Sequence, residues 1–169
     1  DKDLDRYARH AIMPSIGEEG QEKLLAAKAL IVGAGGLGAP VILYLAAAGI
    51  GAITIVDDDK ISRSDLNRQI IYKDIDIGLS KSKQAAKAAS ALNPDISILQ
   101  HATSLNTDNV QSLLTNHDLV IDCTDNAETR YLIGDAAHRY ARPLVFGGAV
   151  RMEGQVSVFQ SGVKGYEGT

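Results

Sequence analysis

Apolar positions along this chain fall in short blocks whose period switches between helical and extended spacing. From Asp3 to about Met13 they line one side of a helix that Pro14 stops, and Glu18–Lys28 predicts a second helix. Leu30–Gly33 is short and almost wholly apolar, which predicts a strand buried on both faces. Gly36–Gly49 carries apolar residues almost all round, so it predicts a buried helix. Ala52–Asp57 is a β-branched strand, and Ser80–Leu92 is Ala-rich and helical, with Lys81, Lys83 and Lys87 on exposed flanks. Ser97–Ala102 predicts a strand, and Asp108–Asn116 a helix with Val110, Leu113 and Leu114 on one face. Leu119–Cys123 is a strand, Ala127–Ala141 a helix and Leu144–Gly147 a strand. Gln155–Gln160 alternates and predicts a half-exposed strand.

Strand and helix alternate over most of the length, which predicts an α/β fold. The expected architecture is Rossmann-like and doubly wound, a mostly parallel sheet with N-terminal helices and a C-terminal antiparallel extension. One domain spans 1–169, with N-terminal helices in 1–28, a core in 29–148 and the start of C-terminal strands in 149–169. The glycine-rich ending "GVKGYEGT" suggests that the natural domain runs on beyond it. Ala29 to Val56 contains no charged residue and could be mistaken for a membrane helix. Its six glycines divide it instead into strand, helix and strand.

Composition narrows the classes. With 45% apolar and 22% charged residues the chain is ordinary for a globular protein, and its net charge of −4 points to neither nucleic acid nor an anionic membrane. Cys123 is the only cysteine, so the chain holds neither a disulfide framework nor a cysteine-built zinc site. The opening, Asp1–Arg9, is too charged for a signal peptide, and a reducing, cytoplasmic setting is expected. His10, His101, His117 and His138 show no metal-ligand spacing.

The candidate chemistry begins at "GAGGLG", which follows a strand and opens a helix. Gly33 permits a tight turn, Gly35 and Gly36 let backbone approach a phosphate, and Gly38 allows close packing of helix on strand. The helix N-terminus adds free N–H groups. Asp57, at the end of the second strand, can accept both ribose hydroxyls; Asp58 reads as a solvated acid, and Asp59 supports either the loop or a metal. Asp125 follows the strand expected to neighbour the first, so it stands opposite the glycine loop. A carboxylate there makes sense if it holds Mg²⁺ against phosphate oxygens, or as a cap on the helix after Asn126. A triphosphate cleaved in the site needs fixed positive charge, which Arg68 and Lys81 can bring over the loop. Arg6 and Arg9 lie on the first helix, and Cys123 reads as a small buried hydrophobe.

"RYARH", "GAGGLG", "VDDDKISRSDLNRQ", "GLSKSK", "DCTDN" and "GGAVRMEGQVSVF" together resemble the ubiquitin-activating-like adenylyltransferases, the HesA, MoeB and ThiF family. The resemblance runs from Arg6 to about Phe159. It implies ATP-dependent adenylation of the C-terminal glycine of a small ubiquitin-like sulfur-carrier protein in molybdopterin or thiamine biosynthesis, with release of pyrophosphate. It also implies Mg²⁺ on Asp125 and a homodimer in which Arg9 reaches the partner's ATP site. Asp125, Arg68, Lys81 and Arg9 are the expected catalytic residues. The expected nucleotide-binding set adds Gly33, Gly35, Gly36, Gly38, Asp57, Asp59, Ser64, Asp65, Leu66, Asn67, Gln69 and Asn126.

Three departures matter. Asp65 stands where the family shows Asn, and an ionised carboxylate cannot donate to a phosphate. His10 replaces a usual Gln. The family's later half, with paired Cys-x-x-Cys zinc ligands and often a reactive cysteine, has no counterpart here, so zinc is expected only if a further C-terminal part carries such pairs. Two other functions remain open on the residues alone. One is a nicotinamide-dependent oxidoreductase, which shares the glycine loop and Asp57 but gives Arg68, Gln69, Lys81 and Asp125 no purpose. The other is a non-catalytic nucleotide-binding interaction module.

Overall fold

The computed structural model describes residues 5–160; the expected helix start at Asp3 and the "GVKGYEGT" tail lie outside them. The described chain opens with α1 (Ala8–Ala11) and α2 (Gly17–Ala26), followed by β1 (Lys28–Val32), α3 (Gly38–Ala48) and β2 (Ala52–Val56). Two short 3₁₀ turns, Arg63–Asp65 and Asp74–Asp76, fill the long connection to α4 (Lys81–Leu92). β3 (Ser97–His101), α5 (Val110–Thr115), β4 (Leu119–Asp122), α6 (Ala127–Arg139), β5 (Leu144–Val150) and β6 (Glu153–Phe159) follow.

The six strands form one sheet in the order β3-β2-β1-β4-β5-β6. All neighbours are parallel except β5 and β6, which pair antiparallel from Leu144↔Phe159 to Val150↔Glu153. The doubly wound expectation and its antiparallel extension are therefore what the chain adopts. The strand period of two sorts side chains to opposite faces. Ala29 and Ile31 join Ile42, Ala46, Ile53 and Ile55 under α3 and α4. Leu30 and Val32 join Leu114, Val120 and Ile133 under α5 and α6. Thr54 is a polar residue buried in a strand between Ile53 and Ile55, and its hydroxyl is 2.7 Å from Nε2 of the buried His117.

Several expected boundaries move. Lys28 belongs to β1 rather than to the preceding helix: it pairs with Ala52, and its N–H donates to the Asp118 carboxylate at 2.9 Å. β5 runs three residues beyond Gly147, because β6 supplies it with ladder partners as far as Val150. α3 is not buried all round: Ala39, Ile42 and Ala46 face the core, while Tyr44 is 77% exposed. Lys81 is not on an exposed flank but buried, whereas Lys83 and Lys87 are exposed. Among the described residues no helix is long and apolar enough to cross a membrane.

Candidate functional site

β1, β2 and β4 lie side by side at the centre of the sheet, and their carboxyl ends bring three loops together. Gly33 turns with φ +92°, and a Cβ there would stand 2.8 Å from the carbonyl oxygen of Cys123. A Cβ on Gly38 would stand 2.0 Å from the carbonyl oxygen of Gly33. Only glycine lets the first strand, its helix and the fourth strand approach this closely. Among the described residues the N–H groups of Gly35, Gly36 and Leu37 make no hydrogen bond, and no side chain caps the helix. They are available to an anion.

Asp57 closes one side of the loop. Its Oδ2 accepts from Ala34 N–H at 2.8 Å and its Oδ1 from Asp59 N–H at 2.9 Å. Burial raises its pKa, opposed by those two N–H groups and by the charge of Lys81. Each oxygen keeps a lone pair for a ribose hydroxyl. Asp58, by contrast, is exposed and bonded to the Ser104 hydroxyl.

Residues 62–69 flank the loop at Gly35 and Gly36. Asp65 Oδ2 accepts from Ser62 N–H and Ser62 Oγ, both at 2.9 Å, and Oδ1 accepts from Gln69 Nε2 at 3.1 Å. The residue is buried, with Arg68 Nη2 at 3.5 Å and Lys81 Nζ at 3.8 Å. Burial alone would raise the Asp65 pKa. The Ser62 donors and the charges of Lys81 and Arg68 outweigh it and hold the carboxyl below the usual value. Both oxygens are thus engaged inside the loop. Ser64 is exposed, its hydroxyl 2.8 Å from Ser62 Oγ; Leu66 is half-buried and Asn67 exposed. Arg68 reaches Ser64 O at 2.8 Å and Asn67 Oδ1 at 3.2 Å. Its stem lies over Gly36, with Cγ 3.7 Å from where a Cβ would be. Gln69 is buried, its Nε2 3.6 Å from a Cβ position on Gly35.

Lys81 is the buried cation of the site. Its Nζ is 2.8 Å from Asp59 Oδ2, so Asp59 supports the loop through an ion pair. Burial would lower the Lys81 pKa. The hydrogen bond to Asp59, with the charges of Asp59, Asp57 and Asp65, raises it instead. Three residues that sequence alone did not single out fix this arrangement. Tyr72 OH donates to Ala34 O at 2.7 Å, with Lys81 O 3.3 Å away, Ser82 Oγ donates to Asp57 O at 2.9 Å, and Ser62 anchors Asp65. Ser-x-x-Asp at 62–65 is a legible turn signature; Tyr72 and Ser82 leave no such trace.

Asp125 and Asn126 are both exposed beyond β4, in the loop that runs on from the Cys123 carbonyl beneath Gly33. The α6 cap is Asn126, whose side chain accepts from Thr129 N–H at 2.8 Å, and Asp125 is left without a hydrogen bond or ion pair among the described residues. No cluster of three His, Cys, Asp or Glu able to hold a metal exists among the described residues. A lone open carboxylate beside a phosphate loop suits Mg²⁺, which takes one or two carboxylates and completes its shell with phosphate and water oxygens. Cys123 is buried, and desolvation with the charge of Asp122 pushes its thiol up to about 12. Arg9 is exposed on α1, and nothing among the described residues brings it to the loop. A groove of about 630 Å³ lies elsewhere, between α6 and β5–β6, with Arg130 stacked 4.9 Å above Phe146.

The model of the ThiF family matches residues 7–167. The probable adenylyltransferase/sulfurtransferase MoeZ of Mycobacterium tuberculosis is 47% identical over 158 residues, covering 94% of this chain and 40% of that protein. The sulfur carrier protein adenylyltransferase of Thermus thermophilus is 45% identical over 94% of this chain and 58% of its own length. The SAMP-activating enzyme E1 of Haloferax volcanii is 45% identical over 91% of this chain and 57% of its own length. The chain therefore spans about half the length of the curated relatives it matches. A solved structure of E. coli MccB with ATP superposes with a TM-score of 0.84 at 26% identity, over 94% of this chain and 48% of that one.

Proposed function

Because this chain belongs to the ThiF family, we propose that it binds ATP across the 33–38 loop and residues 62–69, and adenylates the C-terminal carboxylate of a small ubiquitin-like sulfur-carrier protein. The names of the relatives from Thermus and Haloferax support the substrate class, and MccB with ATP supports the nucleotide. The single observation that carries the reading is Arg68. Its stem overhangs Gly36, above N–H groups that no other group uses among the described residues. A nicotinamide site has no need of a cation there.

The chemistry asks for position and charge. A carboxylate oxygen of the carrier attacks the α-phosphorus, the bond to the bridging oxygen of pyrophosphate breaks, and an acyl-adenylate forms. The attacking group is already ionised, so no general base is required. The N–H groups of Gly35, Gly36 and Leu37 cradle phosphate oxygens. Arg68 and Lys81 face the charge that gathers on the leaving oxygens, and Asp57 accepts from the ribose. Asp125 would hold Mg²⁺, which would supply positive charge to the triphosphate oxygens. Arg9, exposed and without a partner among the described residues, serves the site of a second copy in a homodimer. Residues 1–169 belong to one adenylation domain.

ATP–pyrophosphate exchange in the presence of the carrier protein tests this. Asp125→Ala is expected to abolish exchange while ATP still binds. Undiminished exchange in that variant would remove Asp125 from its role, and tight NADH binding without ATP binding would replace the function.

A further inference from the structure

We propose that Asp65 is a positioning residue of this site: its carboxylate, drawn into the loop, orients Gln69 and sets Arg68 and Lys81 for the phosphates. The inference rests on ATP being the ligand, and it assigns Asp65 a part that does not touch it.

Five donor groups converge on one side chain. Ser62 N–H, Ser62 Oγ and Gln69 Nε2 lie within 3.1 Å, while Arg68 Nη2 and Lys81 Nζ stand at 3.5 and 3.8 Å. A carboxylate is acceptor-only and suits such a ring; an amide would have to turn its NH₂ onto one of the donors. Gln69 records the consequence. Its Nε2 points at Asp65, which leaves its Oε1 buried with no hydrogen-bond partner. Reversing the amide would set an oxygen against the carboxylate, so the charge at Asp65 outweighs one orphaned acceptor. The two cations are beyond hydrogen-bond length and feel Asp65 through its charge. Screening is weak between Asp65 and Lys81, whose side chains are only 10% and 8% exposed, and stronger at Arg68, whose side chain is 58% exposed. Asp59, the closer partner of Lys81, is 67% exposed and so the more weakly coupled for its distance.

Asp65→Asn keeps one acceptor for Ser62 and removes the charge. Calorimetry with Mg²⁺ is expected to show ATP binding weakened about tenfold, with adenosine changed less than about twofold. A merely structural loss would weaken both alike. In an Arg68→Ala background the same substitution should cost ATP less than about threefold, because one of the two cations it acts through is gone. A ligand-free measurement runs beside these: the Lys81 ammonium, followed by NMR, should titrate at lower pH in Asp65→Asn. If Asp65→Asn does not fold, Asp65→Glu, which shifts the charge by one methylene, should weaken ATP and spare adenosine. ATP bound as tightly or more tightly by Asp65→Asn, full multiplication of the two losses, or an unmoved Lys81 titration would each overturn the inference. A wild-type chain that binds no ATP would refute the proposed function instead, and the Lys81 titration would still decide the role of Asp65.

Discussion

Changing Tyr72 to Phe removes one oxygen atom from a ring that is only 6% exposed. Its one proton goes to Ala34 O at 2.7 Å, the shorter contact, with Lys81 O 3.3 Å away. Lys81 O opens α4 and has a helical partner within reach, so its loss is small. Ala34 is fully buried, and its carbonyl has no other partner among the described residues. An orphaned buried carbonyl costs about 1–3 kcal/mol, while the retained ring avoids a cavity. For a chain of this size that corresponds to a fall in Tm of roughly 2–10 °C. Urea denaturation followed by circular dichroism measures it directly. The effect also has a pH signature. Burial, reinforced by the charges of Asp57 and Asp65, pushes the Tyr72 phenol well above its ordinary value. Between the unfolded pKa, about 10, and the folded one, the native state holds more protons than the unfolded state, so this stabilisation falls as pH rises. The gap between wild type and Tyr72→Phe should therefore be constant up to about pH 9 and narrow above pH 10. A Tm change under about 1 °C, or a gap that widens above pH 10, would refute the reasoning.

Gly38→Ala sets a Cβ 2.0 Å from Gly33 O, against backbone that cannot yield, and should cost about 3 kcal/mol or more and abolish nucleotide binding. Gly134→Ala is its control: nothing lies within 4 Å of that Cβ in mid-helix, so stability should rise by about 0.5–1 kcal/mol in the same denaturation assay. Cys123, with its thiol pushed to about 12 and its side chain buried, should resist iodoacetamide at pH 8 in the native chain and react on unfolding, as mass spectrometry would show.

Much of this architecture was legible because glycine spacing and strand period carry it. Gly33 and Gly38 announce a contact that the backbone does make, and the apolar runs sort cleanly to two faces of the sheet. Lys28 was misread because a polar side chain says little about whether backbone pairs; Asp118, ninety positions away, fixes it from across the sheet. The burial of Lys81 was legible in the spacing but masked by the residue type. Helical periodicity sets it on the face of Ala85 and Ala89, away from Lys83 and Lys87, and its pairing with Asp59, 22 residues earlier, satisfies the ammonium there. Asp65 was read as an anion set against phosphates. The Ser62 turn, a purely local feature, already accounted for its orientation.

The central pairing also orders assembly. β1, β2 and β3 pair with one another within residues 28–101, whereas β1 meets β4 only across a separation of about ninety residues. Such distant pairing closes a long loop and is slow to form. The glycine loop rests on the Cys123 carbonyl, which arrives with β4. Under the proposed function, nucleotide affinity belongs to the assembled sheet and not to the first strand–helix–strand unit, and nucleotide added during refolding should draw the two halves together by mass action.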